Sequence, residues 1–375
     1  MKVRAALLRE LGVAPPYAVS RPLEVVEIAL DDPGPGELLV RVRAAGLCHS
    51  DLSVINGSRP RVMPMILGHE AAGEVAAVGA GCEGFAVGDH VALVFVPGCG
   101  TCRFCASERP ALCEPGAAAN SAGTLISGER RWGLLAGNPV HHHLGVSAFS
   151  EYTVVSQNSA VKIDPSVPFE IAALFGCAVL TGVGAVVNAA RVQPGQSVAI
   201  FGLGGVGLAA LLGAVLAGAG TVVVVDPVAA KLELARELGA TLALAPGPEC
   251  LREVVAATAG GCDYAIETVG SETVLADAYA VTARGGTTVT VGLPHPERML
   301  TIPAVSLVVD ERTLRGCYLG SCVPRRDIPH FIELYQRGRL PVERLMSQTL
   351  TLDELNEGFD RLASGEAIRQ VVVQG

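Results

Sequence analysis

The feature that most constrains the fold is a stretch without charged side chains, residues 192 to 225, which glycines divide into segments. Its pattern predicts a strand, a helix and a second strand, in the order SVAIFG, VGLAALLGAVLAGAG and TVVVVD. Further strands are predicted at CDYAIETVG and TTVTVGL. Strands that alternate with helices form a parallel, doubly wound sheet. We therefore expect an α/β protein with a Rossmann domain.

A membrane span is the alternative interpretation of this stretch, because its length and lack of charge suit a lipid core. Pro194, Gly195 and further glycines interrupt it, however, and a buried strand–helix–strand unit explains the same composition. We expect no association with a membrane.

A glycine-rich turn joins the first predicted strand to the helix. Gly202, Gly204 and Gly207 form G-x-G-x-x-G, with Gly205 inside it. Such glycines permit a tight bend, close approach of the backbone to a pyrophosphate, and close packing of helix and strand. Asp226 closes the next strand, where a carboxylate accepts hydrogen bonds from ribose hydroxyls and repels a 2′-phosphate. We expect NAD rather than NADP. A purely structural turn is the alternative.

Four cysteines have the spacing C-x2-C-x2-C-x7-C: Cys99, Cys102, Cys105 and Cys113. Four thiolates this close can complete a tetrahedral shell around Zn²⁺, which leaves no open position for chemistry. We expect a structural zinc site. Two disulfides and an iron–sulfur cluster are the alternatives.

Three further residues form a candidate catalytic set: Cys48, His69 and Cys177. Two thiolates and one imidazole leave one position open on zinc, which is typical of catalytic sites. An ion there would bind a substrate oxygen and lower the pKa of an alcohol hydroxyl. Asp51 and Glu70 are expected to orient the ligands. Taken singly, each of the three is more simply a buried side chain.

Length and charge narrow the class of protein. The 375 residues suggest two domains, and a net charge of −9 argues against nucleic-acid binding. The start, MKVRAALLRELGV, has charges on both sides of a short apolar run and predicts a first strand, not a signal peptide. Eleven cysteines, four of them in a zinc pattern, fit a reducing compartment, so we expect a cytoplasmic protein.

The remaining chain favours β structure before about residue 160 and a loop-like insertion over residues 115 to 147. Trp132 lies in this insertion, where its ring would face substrate or a partner subunit. Charges such as Glu37 are expected on a solvated strand face. The end of the chain predicts an amphipathic helix, IPHFIELYQRG, and a last strand, RQVVVQ.

The sequence resembles the zinc-dependent medium-chain alcohol dehydrogenases over nearly its whole length. The resemblance rests on GLCHSD, ILGHEAAGEV, VGDHV, the cysteine quartet, HHHLGVSAFSEYTVV, FGCAVLTGVGA, FGLGGVG and GEAIRQVVV. The length and the insertion are most similar to the dimeric branch, which includes the glutathione-dependent formaldehyde dehydrogenases. The resemblance implies a GroES-like, β-rich catalytic domain with both zinc sites (1–178), a Rossmann domain (179–321) and a C-terminal return to the catalytic domain (322–375). It also implies a homodimer formed through the Rossmann sheets, with a tetramer as the alternative.

The resemblance further implies roles for individual residues. Cys48, His69 and Cys177 would bind a catalytic zinc with Glu70 behind it, and Ser50 would begin a proton relay. The residues implied at NAD are His49 and Arg369 at the pyrophosphate, Lys231 beside Asp226 at the ribose, and Thr181 and Val206 at the nicotinamide. Those implied at the substrate are Phe95, His143, Leu144, Leu293 and Leu319.

Three positions depart from the family pattern. Ser53 stands where some relatives end the proton relay at a histidine, which leaves the exit of the relay open. Arg59 stands where the glutathione-dependent branch has an aspartate in its adduct pocket, which weakens a glutathione adduct as substrate. His143 stands where relatives are often aromatic or aliphatic, and a polar ring there would favour a substrate with a hydrogen-bonding tail.

We therefore expect an NAD-dependent alcohol dehydrogenase with two zinc ions per chain. It would oxidise primary alcohols, aromatic and medium-chain ones included, reversibly to aldehydes, by hydride transfer from a zinc-bound alkoxide. A formaldehyde dehydrogenase that acts on a thiol adduct is the first alternative. A zinc- and dinucleotide-binding protein without turnover is the remote one.

Overall fold

The structure is a computed structural model that describes residues 1–135 and 137–374. The chain forms two compact units. The first comprises Met1–Cys177, Val323–Glu333 and Met346–Gly375, and the second comprises Ala178–Cys322 and Leu334–Leu345. The sequence places the whole C-terminal return with the first unit, whereas the structure assigns residues 334–345 to the second. Val342 and Leu345 are buried there, in a short helix that contacts the helix after the glycine turn.

Within the described residues, the strands in chain order are β1 (Lys2–Leu8), β2 (Leu23–Leu30), β3 (Glu37–Gly46), β4 (Met65–Ile66), β5 (Ala71–Val78), β6 (His90–Leu93), β7 (Trp132–Gly133), β8 (Pro139–His142), β9 (Tyr152–Ser156), β10 (Ala160–Lys162), β11 (Ser197–Phe201), β12 (Thr221–Val225), β13 (Leu242–Leu244), β14 (Cys262–Glu267), β15 (Thr282–Thr290), β16 (Thr313–Gly316), β17 (Gln348–Leu350) and β18 (Gln370–Val373).

The α-helices are α1 (Tyr17–Ser20), α2 (His49–Ile55), α3 (Arg103–Ala106), α4 (Glu114–Ala122), α5 (Phe169–Leu174), α6 (Ala178–Gly184), α7 (Gly205–Leu216), α8 (Ala229–Glu237), α9 (Cys250–Ala257), α10 (Glu272–Ala280), α11 (Ala304–Val309), α12 (Pro324–Gln336) and α13 (Leu355–Ala363). Short 3₁₀ helices cover Pro110–Leu112, Gln157–Ser159, Leu319–Ser321, Val342–Leu345 and Leu352–Glu354, and a π-helix covers Ala185–Ala190.

Two sheets form the first unit. Strands β1, β2, β7, β8 and β4 close into a small barrel, and a seven-stranded sheet has the order β10-β6-β5-β3-β18-β17, with β9 also paired to β3. Alternate residues of β3, namely Leu38, Val40 and Val42, point into one core. Helix α13 adds Leu355 and Phe359 to that core, because residues four apart lie on the same helix face.

The second unit is built on a six-stranded parallel sheet with the order β13-β12-β11-β14-β15-β16. This is the strand order of a Rossmann domain, which confirms the expected α/β class. The predicted strands appear as β11, β12, β14 and β15, although β15 begins earlier than expected, at Thr282. The uncharged stretch is the unit β11–α7–β12. Among the described residues, no helix combines the length and the apolar character needed to cross a bilayer.

The expectation of a loop-like insertion is wrong in part. Helix α4 occupies its beginning, because Pro115 suits the first helical turn and the Cys113 sulfur accepts the Gly116 N–H at 3.3 Å. The helix ends at Gly123, which has a φ of +67°. Strands β7 and β8 follow and join the barrel.

The structure of the insertion also shows that the expectations for Glu37 and Trp132 are wrong, because both side chains are buried. Glu37 is 1% exposed, and its carboxylate lies 2.7 Å from the Arg131 guanidinium and accepts the Ser127 hydroxyl at 2.8 Å. Trp132 is 2% exposed and packs in the barrel core. A local pattern in β3 predicts a solvated face, but a segment distant in sequence covers that face.

Candidate metal and cofactor sites

Cys48, His69 and Cys177 converge in the first unit. Cys48 lies at the start of α2, His69 follows β4, and Cys177 follows α5. Their donor atoms all lie within 4.8 Å of one another, and the three side chains are at most 8% exposed. Two thiols and an imidazole in one buried pocket form a donor set that suits Zn²⁺ and supplies three of its four ligands. The set therefore fits a zinc ion with one position open.

The charges around this pocket favour a cation. The hydrogen bond between the two thiols lowers the pKa of Cys48 well below its usual range and raises that of Cys177. Burial works to lower the pKa of His69, but the negative charges of Asp51 and Cys48 raise it overall. A thiol with a lowered pKa and a buried carboxylate thus place negative charge on both sides of the imidazole, which is consistent with a site for a metal cation.

Two acidic residues lie behind the donor set. Asp51 Oδ2 is 3.0 Å from His69 Nδ1, and the Gly68 N–H donates to Asp51 Oδ1 at 3.0 Å. Burial opposes ionisation of Asp51, but the imidazoles of His69 and His143 lower its pKa to about 2. Glu70 Oε2 is 3.4 Å from Arg369 Nη2.

The position of Arg369 is unexpected from the sequence. Its guanidinium is 3% exposed, donates to the Leu47 carbonyl at 2.7 Å, and faces the thiols of Cys48 and Cys177. Burial works to lower its pKa, but the charges of Glu70 and the two cysteines raise it further above its usual range. Nothing in the local sequence signals this ion pair, since Glu70 and Arg369 lie about 300 residues apart in the chain.

Several implied substrate and relay residues lie near the same pocket. The rings of Phe95 and His143 are 5.5 and 5.7 Å from that of His69, both in edge-to-face geometry. Leu144 follows His143 and is buried. His49 and Ser50 form the first turn of α2, and the Ser53 hydroxyl donates to the His49 carbonyl at 2.8 Å. Leu293 and Leu319 belong to the second unit, where Leu293 is exposed and Leu319 is buried.

The cysteine quartet also forms a compact donor set. The four sulfurs lie within 4.8 Å of one another, with 4.0 Å between Cys99 and Cys105 and 3.9 Å between Cys102 and Cys113. Tetrahedral zinc with Zn–S bonds of about 2.3 Å requires sulfur–sulfur distances of about 3.8 Å. The Cys102 and Cys99 amides donate to the sulfurs of Cys99 and Cys113, both at 3.2 Å, which stabilises thiolates. The quartet therefore fits a second zinc ion.

The glycine turn has the geometry that a dinucleotide requires. Gly202 has a φ of +92°, and a Cβ on Gly207 would lie 1.8 Å from the Gly202 carbonyl oxygen. Gly204 precedes α7, and a Cβ built there meets no atom within 4 Å, so the backbone borders open space. The twelve-residue helix α7 begins at Gly205 and directs its free N–H groups toward that space.

Asp226 stands at the carboxyl end of β12, beside this turn. Its carboxylate accepts the Leu203 N–H at 2.7 Å and the Val228 N–H at 2.9 Å. Lys231 is 7% exposed, and burial lowers its pKa against the opposing effect of Asp226. Thr181 lies on α6, whose Gly182 packs directly on the Val206 carbonyl.

Comparison with known proteins identifies the family. The model of the alcohol dehydrogenase GroES-like domain matches residues 34–165, and the zinc-binding dehydrogenase model matches residues 205–337. The chain is 40% identical over 381 residues to putative alcohol dehydrogenase D of Mycobacterium tuberculosis, with all of both chains covered. It is 37% identical over 377 residues to S-(hydroxymethyl)glutathione dehydrogenase of Synechocystis, covering 99% of this chain and 100% of the relative.

A solved structure agrees. The crystal structure of benzyl alcohol dehydrogenase from Acinetobacter calcoaceticus superposes with a TM-score of 0.93 at 30% identity, with all of both chains covered. The expected family, fold class and type of enzyme are therefore confirmed, as is the requirement for zinc and a nicotinamide cofactor. This chain belongs to the zinc-dependent medium-chain alcohol dehydrogenases.

Proposed function

We propose that this enzyme oxidises primary alcohols reversibly to aldehydes with NAD as the hydride acceptor, using a catalytic zinc ion held by Cys48, His69 and Cys177. The observation that carries the proposal is the convergence of these three donors in one buried pocket with Asp51 and Glu70 behind them. Zinc at such a site supplies a Lewis acid for an alcohol or carbonyl oxygen. In the forward direction the alcohol carbon gives a hydride to NAD and the hydroxyl gives up a proton.

The protein residues then have separate tasks. Ser50, in the first turn of α2, begins the proton relay: its hydroxyl would take the proton that leaves the substrate hydroxyl and pass its own proton to the nicotinamide ribose. Ser53 stands where some relatives have a histidine, and its hydroxyl donates to the His49 carbonyl. Arg369 balances the charge of Glu70 and the thiolates within the pocket, and we propose that His49 and Arg369 also meet the pyrophosphate.

We propose NAD rather than NADP because Asp226 is fixed beside the glycine turn, where its negative charge opposes a 2′-phosphate. Gly202, Gly204, Gly205 and Gly207 would receive the pyrophosphate. Lys231 assists at the ribose, and Thr181 and Val206 flank the nicotinamide.

The substrate class follows from the side chains proposed to contact it: Phe95, His143, Leu144, Leu293 and Leu319. Four of the five are apolar, which suits an aromatic or medium-chain alcohol. The similarity to benzyl alcohol dehydrogenase supports an aromatic substrate. The quartet Cys99, Cys102, Cys105 and Cys113 holds a second, structural zinc ion.

The test is a comparison of wild type with Cys48→Ser. We expect two zinc ions per chain and alcohol-dependent NAD reduction at 340 nm in the wild type. The variant should lose at least about 100-fold in activity, because an oxygen ligand replaces a thiolate in the metal's shell. NADH binding should be retained, since the glycine turn is unchanged. Activity at the wild-type level in Cys48→Ser would refute the proposed metal role.

A thiol-adduct formaldehyde dehydrogenase is the second candidate, supported by the similarity to S-(hydroxymethyl)glutathione dehydrogenase. Assays of formaldehyde with and without glutathione separate the two functions. Turnover only when a thiol is added would favour the second candidate, and thiol-independent turnover of simple alcohols favours the first.

We further propose a cytoplasmic homodimer. Each of the eleven cysteines, all in the described part of the chain, is free, and both proposed zinc sites need thiols that stay reduced. Strand β16 forms one edge of the Rossmann sheet. Nearby in the chain, α11 exposes Val305, Val308 and Val309 by 67, 78 and 59%. An open strand edge and an exposed apolar helix suit pairing with a second copy.

A further inference from the structure

A buried carboxylate lies between two imidazoles beside the proposed catalytic metal site. Asp51 Oδ2 is 3.0 Å from His69 Nδ1, and Asp51 Oδ1 is 3.3 Å from His143 Nε2. All three side chains are at most 1% exposed. His143 is therefore part of the polar surroundings of a proposed metal ligand, although it lies far from both Asp51 and His69 in sequence.

The hydrogen-bonding needs of Asp51 determine which tautomer His143 adopts. A buried carboxylate requires donors on its oxygens, and Gly68 N–H and the two imidazoles are the groups that face Asp51. A neutral imidazole has one N–H, so His143 stabilises Asp51 only in the tautomer with its proton on Nε2. That nitrogen is then committed to Asp51, which argues against its use as a hydrogen-bond donor to a substrate.

The same three residues have the composition of a metal-binding group. A separate ion at this place would compete for His69, however, because His69 also belongs to the donor set with Cys48 and Cys177. An orienting role for Asp51 and His143 uses both nitrogens of His69 without that conflict: Nδ1 faces Asp51, and Nε2 is left for the metal.

We propose that His143 is a positioning residue of the metal site, which holds Asp51 in place and through Asp51 fixes the orientation of the His69 ring. The inference rests on the proposed function, in which His69 binds the catalytic zinc. Without His143, the Gly68 N–H is the remaining contact on Asp51 Oδ1, and the added contact with His143 restrains that carboxylate further in one orientation. His143 thereby slows the loss of the metal through Asp51, and it does so without donating a hydrogen bond to the substrate.

The experiment measures zinc release from the full-length, zinc-loaded enzyme to a chromogenic chelator. His143→Gln and His143→Asn form a matched pair, because the glutamine amide nitrogen reaches about the place of Nε2 and the asparagine nitrogen only that of Nδ1. His143→Phe keeps the ring shape without a donor. We expect release from the catalytic site to be about tenfold faster in the Asn and Phe variants and close to wild type in Gln. Release from the cysteine quartet should be unchanged in all of them, and Cys48→Ser identifies which phase belongs to which site.

Two further readouts separate positioning from packing. The visible spectrum of the Co²⁺-substituted enzyme should change in the Asn and Phe variants and be restored in Gln. In a double-mutant cycle, adding His143→Phe to Asp51→Asn should increase the release rate less than it does in the wild-type background, because both changes break one connection.

The outcomes are distinguishable. Equal release from wild type and all three His143 variants would overturn the inference and leave the proposed function intact. Wild-type release from the Phe variant together with fast release from the Gln variant would overturn it in favour of ring packing. A wild-type enzyme that binds zinc only at the cysteine quartet would refute the proposed metal site itself.

Discussion

At the scale of single residues, Asp226 connects the glycine turn to the segment that follows β12. Its two oxygens accept the Leu203 and Val228 N–H groups, and it is 6% exposed. Each oxygen keeps a second lone pair for a ribose hydroxyl. The charge of the carboxylate is therefore what separates NAD from NADP in the proposed function.

We predict that Asp226→Asn lowers the affinity for NADH by about 10- to 100-fold, the loss of one hydrogen bond to a charged group. Affinity for NADPH should fall less or rise, because the repulsion of a 2′-phosphate is removed. Fluorescence titration with both cofactors measures the ratio.

Asp263→Asn is the matched control. Asp263 accepts the Ser197 N–H and hydroxyl, both at 2.7 Å, at the amino ends of β11 and β14. The Asp263→Asn variant loses the same charge at the opposite end of the sheet, and the ratio of its affinities for NADH and NADPH should equal that of wild type. A ratio in Asp226→Asn equal to that of wild type would contradict the assignment of cofactor preference to Asp226.

At the scale of elements, the buried pair of Glu37 and Arg131 connects the insertion to β3. Glu37 also accepts the Gly34 N–H at 2.8 Å, so one carboxylate connects the turn before β3, the strand itself and the segment before β7. The Glu37 side chain is 2% exposed and that of Arg131 is 18% exposed, so the pair is weakly screened.

We predict that Glu37→Gln lowers the free energy of unfolding of the first unit by about 3 kcal/mol, the low end for breaking a buried pair. The loss arises because Arg131 keeps its charge without a partner. Trp132 is the single tryptophan and lies next to Arg131, so its fluorescence during urea unfolding reports on this region.

Glu27→Gln provides the comparison for an exposed pair, on the barrel of the first unit. Glu27 is 3.0 Å from Lys2, and both side chains are more than half exposed. It should change stability by less than about 1 kcal/mol. Equal effects of the two substitutions would mean that burial of Glu37 does not determine its contribution.

At the scale of the whole molecule, strand β16 forms one edge of the Rossmann sheet, and helix α11 precedes it in the chain. We predict a mass near twice 38.6 kDa by light scattering, and dissociation to a single chain on Val308→Asp. Burying an unpaired carboxylate at an apolar interface is costly, which is the reason for dissociation.

Val87→Asp tests whether any new surface charge has the same effect. Val87 is 68% exposed and belongs to the first unit, so this variant should stay dimeric. A wild-type enzyme that runs as a single chain, or as four, would refute the proposed dimer.

The sequence by itself determined the Rossmann domain and the candidate donor set of the cysteine quartet. Each rests on a short local pattern: Gly202 to Gly207 between a strand and a helix, and four cysteines within one loop. Local patterns of this kind are readable because the residues that act together are near one another in the chain, and the turn or the ligand spacing dictates their type.

The tertiary structure alone decided the surroundings of those sites. Glu37 is buried by Arg131, Arg369 pairs with Glu70, and His143 faces Asp51. Each contact joins segments that are distant in sequence, and a single charged or polar residue carries no signal about a partner elsewhere in the chain. Burial then sets how strongly such pairs interact, and burial is a property of the folded chain rather than of any local segment.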